Sequence, residues 1–180
     1  MPLSPDAVLQ DQDDRVALRF ERVLRHPRER VWSALTEPGE LFSWHPTPFE
    51  VRPDAEGAGR TVTFLPGGDV EMPDGELLDY EPPRVLAYEW GEDQLRWELT
   101  PHDDGCVLVL THTFGDRFKA ARDAAGWQIC LEALSSLLDG SLEPGKRGIA
   151  EVPADWKALN GEYERRFGIP PEKATPPPAR

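Results

Sequence analysis

Hydrophobic and polar residues alternate along much of the chain, which is the pattern of half-buried β-strands. Val16, Leu18 and Phe20 share one face of a first strand. Between about residues 49 and 114, clusters of glycine, proline and aspartate separate six further alternating runs. The strands predicted there are 49–54, 60–65, 70–80, 84–90, 94–100 and 106–114. Because these strands are consecutive and joined by short turns, the pattern predicts an antiparallel meander.

Helical segments lie on either side of the meander. Pro27 is suited to the first position of a short helix that ends near Thr36, and residues 40–44 predict one more short helical turn. From 118 to 138 the apolar positions follow helical spacing, which predicts one long helix. Gly140 is the expected residue for its C-terminal cap.

The composition predicts one domain, residues 15–140, between two polar ends. Residues 1–14 and the proline-rich residues 169–180 carry little apolar surface, so both are expected to be flexible tails. Residues 141–168 are predicted to form a linker and an amphipathic helix. The apolar stripe of this helix must be covered, and we favour packing on its own domain over a homodimer with a second copy.

Charge and cysteine content limit the binding partners and the cellular compartment expected for the protein. The 33 acidic and 20 basic residues give a net charge of −13, which disfavours nucleic acid and membrane surfaces as partners. Cys106 and Cys130 lie in apolar runs, as expected of buried thiols in a reducing compartment. The first residues do not resemble a secretory signal, and no apolar run reaches about 20 residues. We therefore expect a cytoplasmic protein.

Four sequence blocks in chain order resemble one known family. The blocks are HPRERVWSALT at 26–36, EPPRVLAYEW at 81–90, THTF at 111–114 and GWQICLEAL at 126–134. They resemble the family named after homologues of the activator of the heat-shock-protein-90 ATPase, within the START-like (SRPBCC) superfamily. The resemblance implies an α+β helix-grip fold. In that fold a curved antiparallel sheet of about seven strands wraps around a long C-terminal helix, and two short helices follow the first strand.

A helix-grip fold implies an interior space between the sheet and the long helix, where an apolar ligand can bind. The candidate ligand-binding residues are Trp44, Tyr88, Trp90, Trp97, Leu110, His112, Trp127 and Leu131. Trp44 is expected at the mouth of the space, and His45 is expected in a surface loop beside it. The alternative is that the aromatic side chains fill the core themselves.

His112 is the polar residue that alternation directs into the interior. It could hydrogen-bond a ligand, act as an acid or base, or be a core histidine satisfied by a neighbour. Metal-binding and nucleotide-binding motifs are lacking, so neither a metal nor a cofactor is predicted. The favoured function is a binding or carrier protein for an apolar small molecule. The alternatives are a cyclase or dehydratase that uses His112, and a module that modulates a chaperone ATPase.

Overall fold

The computed structural model describes residues 3–53, 60–152 and 154–176. Its elements are β1 (Val8–Gln12), β2 (Arg15–Leu24), α1 (Arg28–Thr36), α2 (Pro38–Trp44), β3 (Phe49–Pro53), β4 (Arg60–Phe64), β5 (Gly75–Glu81), β6 (Val85–Trp90), β7 (Asp93–His102), β8 (Gly105–Phe114), α3 (Ala120–Leu138) and α4 (Trp156–Phe167). The predicted turn at 56–59 lies outside the described residues.

The strands form one antiparallel sheet in the order β1-β2-β8-β7-β6-β5-β4-β3. The first strand of the domain, β2, closes the meander by pairing with its last strand, β8. The register places Leu18 and Leu95 on either side of His112. With α3 against the inner face of the sheet and two short helices after β2, this architecture confirms the predicted α+β helix-grip fold.

The sheet has eight strands because β1 adds an edge strand to the seven that were predicted. Val8 faces Arg19 across an antiparallel pair, although residues 1–14 were expected to be a flexible tail. Strand β1 is mostly exposed. Main-chain hydrogen bonds hold such an edge strand without an apolar face, so the polar composition gave no sign of it.

The C-terminal segment also differs from the flexible tail that its composition predicted. Ile169 is buried, and the main-chain N–H of Thr175 donates a hydrogen bond to the carbonyl of Phe118. Lys173 lies over the Phe118 ring at 5.7 Å. A few specific contacts therefore hold residues 169–176 against the domain, and residues 177–180 lie outside the described part of the chain.

Helix α4 packs against α3 of the same chain, which is the favoured own-domain arrangement. Its Asp155 side chain accepts a hydrogen bond from the N–H of Ala158, and Gly168 ends it in a left-handed conformation. On the buried face, the Tyr163 hydroxyl accepts the N–H groups of Asp6 and Ala7, both at 3.0 Å. The segment that leads into β1 is thereby tied to α4.

Helix α3 is the centre of the core. Its buried residues occupy most of its circumference, because the sheet covers one side while α2 and α4 cover others. None of the helices in the described residues is long and apolar enough to cross a membrane.

Candidate functional site

The space between the sheet and α3 is occupied by aromatic rings, which we call the interior cluster. Its members are Trp44, His45, Phe49, Tyr88, Trp90, Trp97, His112 and Trp127. The ring centroids of Trp97 and Trp127 lie 5.6 Å apart, and those of Trp44 and Trp97 lie 5.4 Å apart. Both pairs meet edge to face, which is a favourable geometry for aromatic rings. The aromatic side chains therefore pack on one another in this structure.

Two of the sequence-based placements are corrected by the structure. Trp44 was expected at the mouth of the interior, but it is fully buried and its indole N–H donates to the carbonyl of Ala34 at 2.9 Å. His45 was expected in a surface loop and is fully buried as well. The reason lies in Arg147, whose guanidinium donates to the carbonyls of Phe42 and His45 and holds the turn after α2 against the domain.

His45 belongs to a directional chain of hydrogen bonds through the interior cluster. The indole N–H of Trp90 donates to the Thr47 hydroxyl at 2.7 Å, and the main-chain N–H of Thr47 donates to Nδ1 of His45 at 3.1 Å. Because Nδ1 accepts, the proton of the neutral imidazole is on Nε2, which lies 3.0 Å from the Tyr88 hydroxyl oxygen. Burial lowers the pKa of His45 to about 3, so the ring is neutral at physiological pH.

His112 lies in a second chain of hydrogen bonds that reaches the surface. The indole N–H of Trp127 donates to Nδ1 of His112 at 3.2 Å, and Nε2 of His112 donates to Asp93 at 2.8 Å. The same carboxylate oxygen accepts from Nζ of Lys119 at 2.5 Å. Burial raises the pKa of Asp93, but the hydrogen bonds from His112 and Lys119 together outweigh burial and hold it below its usual value. The carboxylate is therefore ionised.

Asp93, His112 and Asp123 could in principle share a metal ion, because one ligand atom of each lies within 4.8 Å of the others. The ammonium group of Lys119 already lies 2.5 Å from Asp93 and 3.8 Å from Asp123. Nε2 of His112 also carries a proton in this arrangement and cannot act as a ligand. Asp93, His112 and Asp123 are therefore better suited to pairing with the ammonium group of Lys119 than to binding a metal ion.

The eight predicted site residues share one region of the core. Six of them belong to the interior cluster through ring contacts. The other two, Leu110 and Leu131, are buried in the surrounding core, and Leu110 lies opposite Trp97 in the β7–β8 register. Strand alternation and helical spacing predicted interior positions for all of them except Trp44, which was expected at the mouth. Neither signal could find His45 and Thr47, which lie in a proline-rich turn, or Asp93, which begins a strand directly after a turn.

The rim of the interior cluster includes Phe64, at the end of β4, and Trp90, at the end of β6. Phe64 and Trp90 are only half-buried, and the Phe64 ring lies 6.3 Å from that of Tyr88. Strands β4 and β5 pair only through Thr61↔Glu76 and Val62↔Gly75 among the described residues. Fewer residue pairs therefore join β4 to β5 than join neighbouring strands among β2, β8, β7 and β6.

A separate surface cavity of about 250 Å³ lies on the other side of α3. Its walls include Leu3, Glu132, Ser136, Leu142 and Val152. None of the predicted site residues lines this cavity, so it is distinct from the interior cluster.

The chain matches one protein-family model and several solved structures. The model of the family "Activator of Hsp90 ATPase homolog 1-like protein" matches residues 25–139. The conserved protein of unknown function EF2215 from Enterococcus faecalis superposes with a TM-score of 0.70 at 20% identity, over 90% of each chain. CalU16 from Micromonospora echinospora gives 0.62 at 17% identity, over 91% of this chain and 98% of its own.

A solution structure of a Bordetella parapertussis protein, BPP1335, gives a TM-score of 0.58 at 26% identity, over 85% of each chain. No curated protein sequence matches the chain. Structural similarity at such low sequence identity supports the fold but does not indicate an activity.

Proposed function

The chain belongs to the family of activator of Hsp90 ATPase homolog 1-like proteins, and we propose that it is a binding protein for a small aromatic molecule. The molecule binds within the interior cluster, between the sheet and α3. The observation that carries this proposal is the placement of His45 and Tyr88, two hydrogen-bonded polar side chains, at the centre of a wall of aromatic rings.

The buried imidazole of His45 and hydroxyl of Tyr88 are not the side chains expected if this position served stability alone. Burying a hydroxyl or imidazole is unfavourable unless each group is hydrogen-bonded, and an aliphatic side chain would fill the same volume without that requirement. Sites for small molecules, by contrast, combine mostly apolar walls with a few polar groups that orient the ligand. His45, Thr47 and Tyr88 among the tryptophan rings have this composition.

The ligand enters at the rim formed by Phe64 and Trp90. Their half-buried rings can turn outward with less loss of buried apolar area than the fully buried rings of Trp44 or Trp97. The short pairing between β4 and β5 allows this edge of the sheet to move. An aromatic ligand then replaces the Phe64 ring, which lies against Tyr88 and Phe49.

Tryptophan emission and native mass spectrometry with N-phenyl-1-naphthylamine test the proposal. We expect a one-to-one complex and quenching of tryptophan emission, because Trp90, Trp97 and Trp127 surround the site. Phe64→Ala should strengthen binding by opening the rim. Trp156→Phe, on the distant helix α4, is the matched control and should bind as the wild type does. Failure of both the wild type and Phe64→Ala to bind at millimolar probe would refute the proposal.

A second candidate function, acid-base catalysis by His112, is favoured by its hydrogen bond to Asp93. Asp93 fixes the proton on Nε2, and a rotation of the Trp127 indole would free Nδ1 as a base facing the interior. Dehydration of 4-hydroxy-4-phenylbutan-2-one to its enone, followed by absorbance, tests this function. Turnover should disappear in His112→Gln, and turnover retained at the wild-type rate would exclude His112 as the base.

A further inference from the structure

The Tyr88 hydroxyl receives two hydrogen bonds at one oxygen. Tyr88 is fully buried on β6, and its oxygen lies 3.0 Å from Nε2 of His45 and 3.3 Å from Nε1 of Trp97. The indole N–H of Trp97 can only donate. Nε2 of His45 also donates, because Nδ1 of the same ring already accepts the main-chain N–H of Thr47.

The proton of the Tyr88 hydroxyl is therefore left without an acceptor. Among the residues that the structure describes, the two partners of this oxygen are both donors. Reversing the bond to His45 would require the other imidazole tautomer, which would place a proton on Nδ1 against the N–H of Thr47. The hydrogen-bond chain from Trp90 through Thr47 and His45 thus runs in one direction and ends at Tyr88.

A buried hydroxyl donor without an acceptor lowers the stability of the fold, and it is available to donate a hydrogen bond to a ligand. An unsatisfied buried hydrogen-bonding group is destabilising, so native proteins contain few of them. Two donors directed at the hydroxyl oxygen also polarise its O–H bond, and such cooperativity strengthens the donor. Burial raises the pKa of Tyr88, so the proton stays in place at physiological pH.

We propose that the Tyr88 O–H group recognises a carbonyl oxygen on the ligand, and that the ligand class is a neutral aryl ketone. This inference rests on the proposed function and narrows it. A carboxylate is disfavoured because the apolar walls would leave its charge poorly solvated. A phenol is disfavoured because its own proton would need an acceptor, whereas a ketone oxygen only accepts.

The test compares 2-acetylnaphthalene with 2-ethylnaphthalene, which differ in carrying a carbonyl or a methylene at one position. Dissociation constants are measured by tryptophan quenching for the wild type and for Tyr88→Phe. The preference for the ketone should fall by roughly two- to twelvefold in Tyr88→Phe, because the variant removes the one hydrogen bond that separates the two compounds. Tyr80→Phe, on the half-buried ring of β5, is the matched control and should keep the wild-type preference.

The outcomes separate this inference from the proposed function. If the wild type binds neither compound, the binding function itself fails. If it binds both and Tyr88→Phe leaves their ratio unchanged, the function stands and the role of Tyr88 is overturned. Should Tyr88→Phe fail to fold, the infrared carbonyl band of 2-acetylnaphthalene bound to the wild type decides. A band at lower frequency than in hexane supports the hydrogen bond, and an unshifted band overturns it.

Discussion

The carboxylate of Asp93 accepts a hydrogen bond from Nε2 of His112 at 2.8 Å, which links the buried interior of the domain to its surface. The same oxygen accepts from Lys119, whose side chain is 18% exposed. A negative charge therefore lies between a neutral, fully buried imidazole and a partly exposed ammonium group. This arrangement fixes the His112 tautomer and directs its Nδ1 toward Trp127.

Replacement of Asp93 by Asn should destabilise the protein by about 2–4 kcal/mol, because Lys119 would lose its nearest negative partner in a largely buried position. Equilibrium urea unfolding at pH 7 measures the change. Glu92→Gln, one residue earlier in the exposed turn, is the matched control and should change stability by less than about 0.5 kcal/mol. Equal stability of Asp93→Asn and wild type would contradict the proposed role of the charge.

The pH dependence of stability should report on His45. Its pKa is about 3 in the folded state against an ordinary value of 6.5, so the unfolded chain takes up a proton first as the pH falls. Stability that is present above pH 6.5 is therefore lost progressively below it, by about 2 kcal/mol between pH 6.5 and pH 5. Urea unfolding at both pH values should show this loss in the wild type and a smaller loss in His45→Gln.

The control for this experiment is His102→Gln, at the exposed end of β7. It should keep the wild-type difference between the two pH values. A complementary measurement is the imidazole resonance of His45, which should show no protonation shift down to pH 5. A His45 resonance that titrates near pH 6.5 would show that the ring is not buried in the folded protein.

Two glycines should respond oppositely to a methyl group. A Cβ on Gly105 would overlap the carbonyl oxygen of Leu24 on the neighbouring strand, whereas a Cβ on Gly126 in α3 would meet no atom within 4 Å. Gly105→Ala should therefore destabilise the protein by about 1–3 kcal/mol. Gly126→Ala should stabilise it by about 0.5–1 kcal/mol through the better helix propensity of alanine. Thermal unfolding of both variants checks the predicted difference in sign.

Arg147 should control how firmly the turn that carries His45 is held. Its guanidinium donates to the carbonyls of Phe42, His45 and Pro46, and Arg147→Met removes all three hydrogen bonds. We expect a loss of about 2–3 kcal/mol and faster hydrogen exchange in the turn, since buried carbonyls would lose their donors. Lys146→Met is the neighbouring control, because that side chain is 62% exposed and pairs only with Glu143 among the described residues.

Exchange in the turn that is unchanged in Arg147→Met would contradict this role. The measurement also bears on ligand binding, because His45 and Thr47 lie in the same turn. Under the proposed function, N-phenyl-1-naphthylamine should associate and dissociate faster with Arg147→Met than with Lys146→Met.

The sequence by itself determined most of the elements of this protein, β1 excepted, and which faces of the predicted strands and helices are buried. Alternation placed Tyr88, Trp97 and His112 on the inner face of the sheet, because strand periodicity is set locally by the backbone. Helical spacing likewise placed Trp127 on the buried side of α3. Four ordered sequence blocks were sufficient to predict the family, because they encode the packing of the sheet on the long helix.

Only the tertiary structure decided how the buried polar groups are paired. His45 meets Tyr88, and Asp93 meets His112 and Lys119, through contacts between residues far apart in the sequence. Such contacts follow from the sheet register and from the turn held by Arg147, neither of which has a local periodic signal. The direction of the hydrogen-bond chain that ends at Tyr88 depends on all of them at once. Periodicity can therefore indicate that a residue is buried, but its hydrogen-bond partners depend on the packed fold.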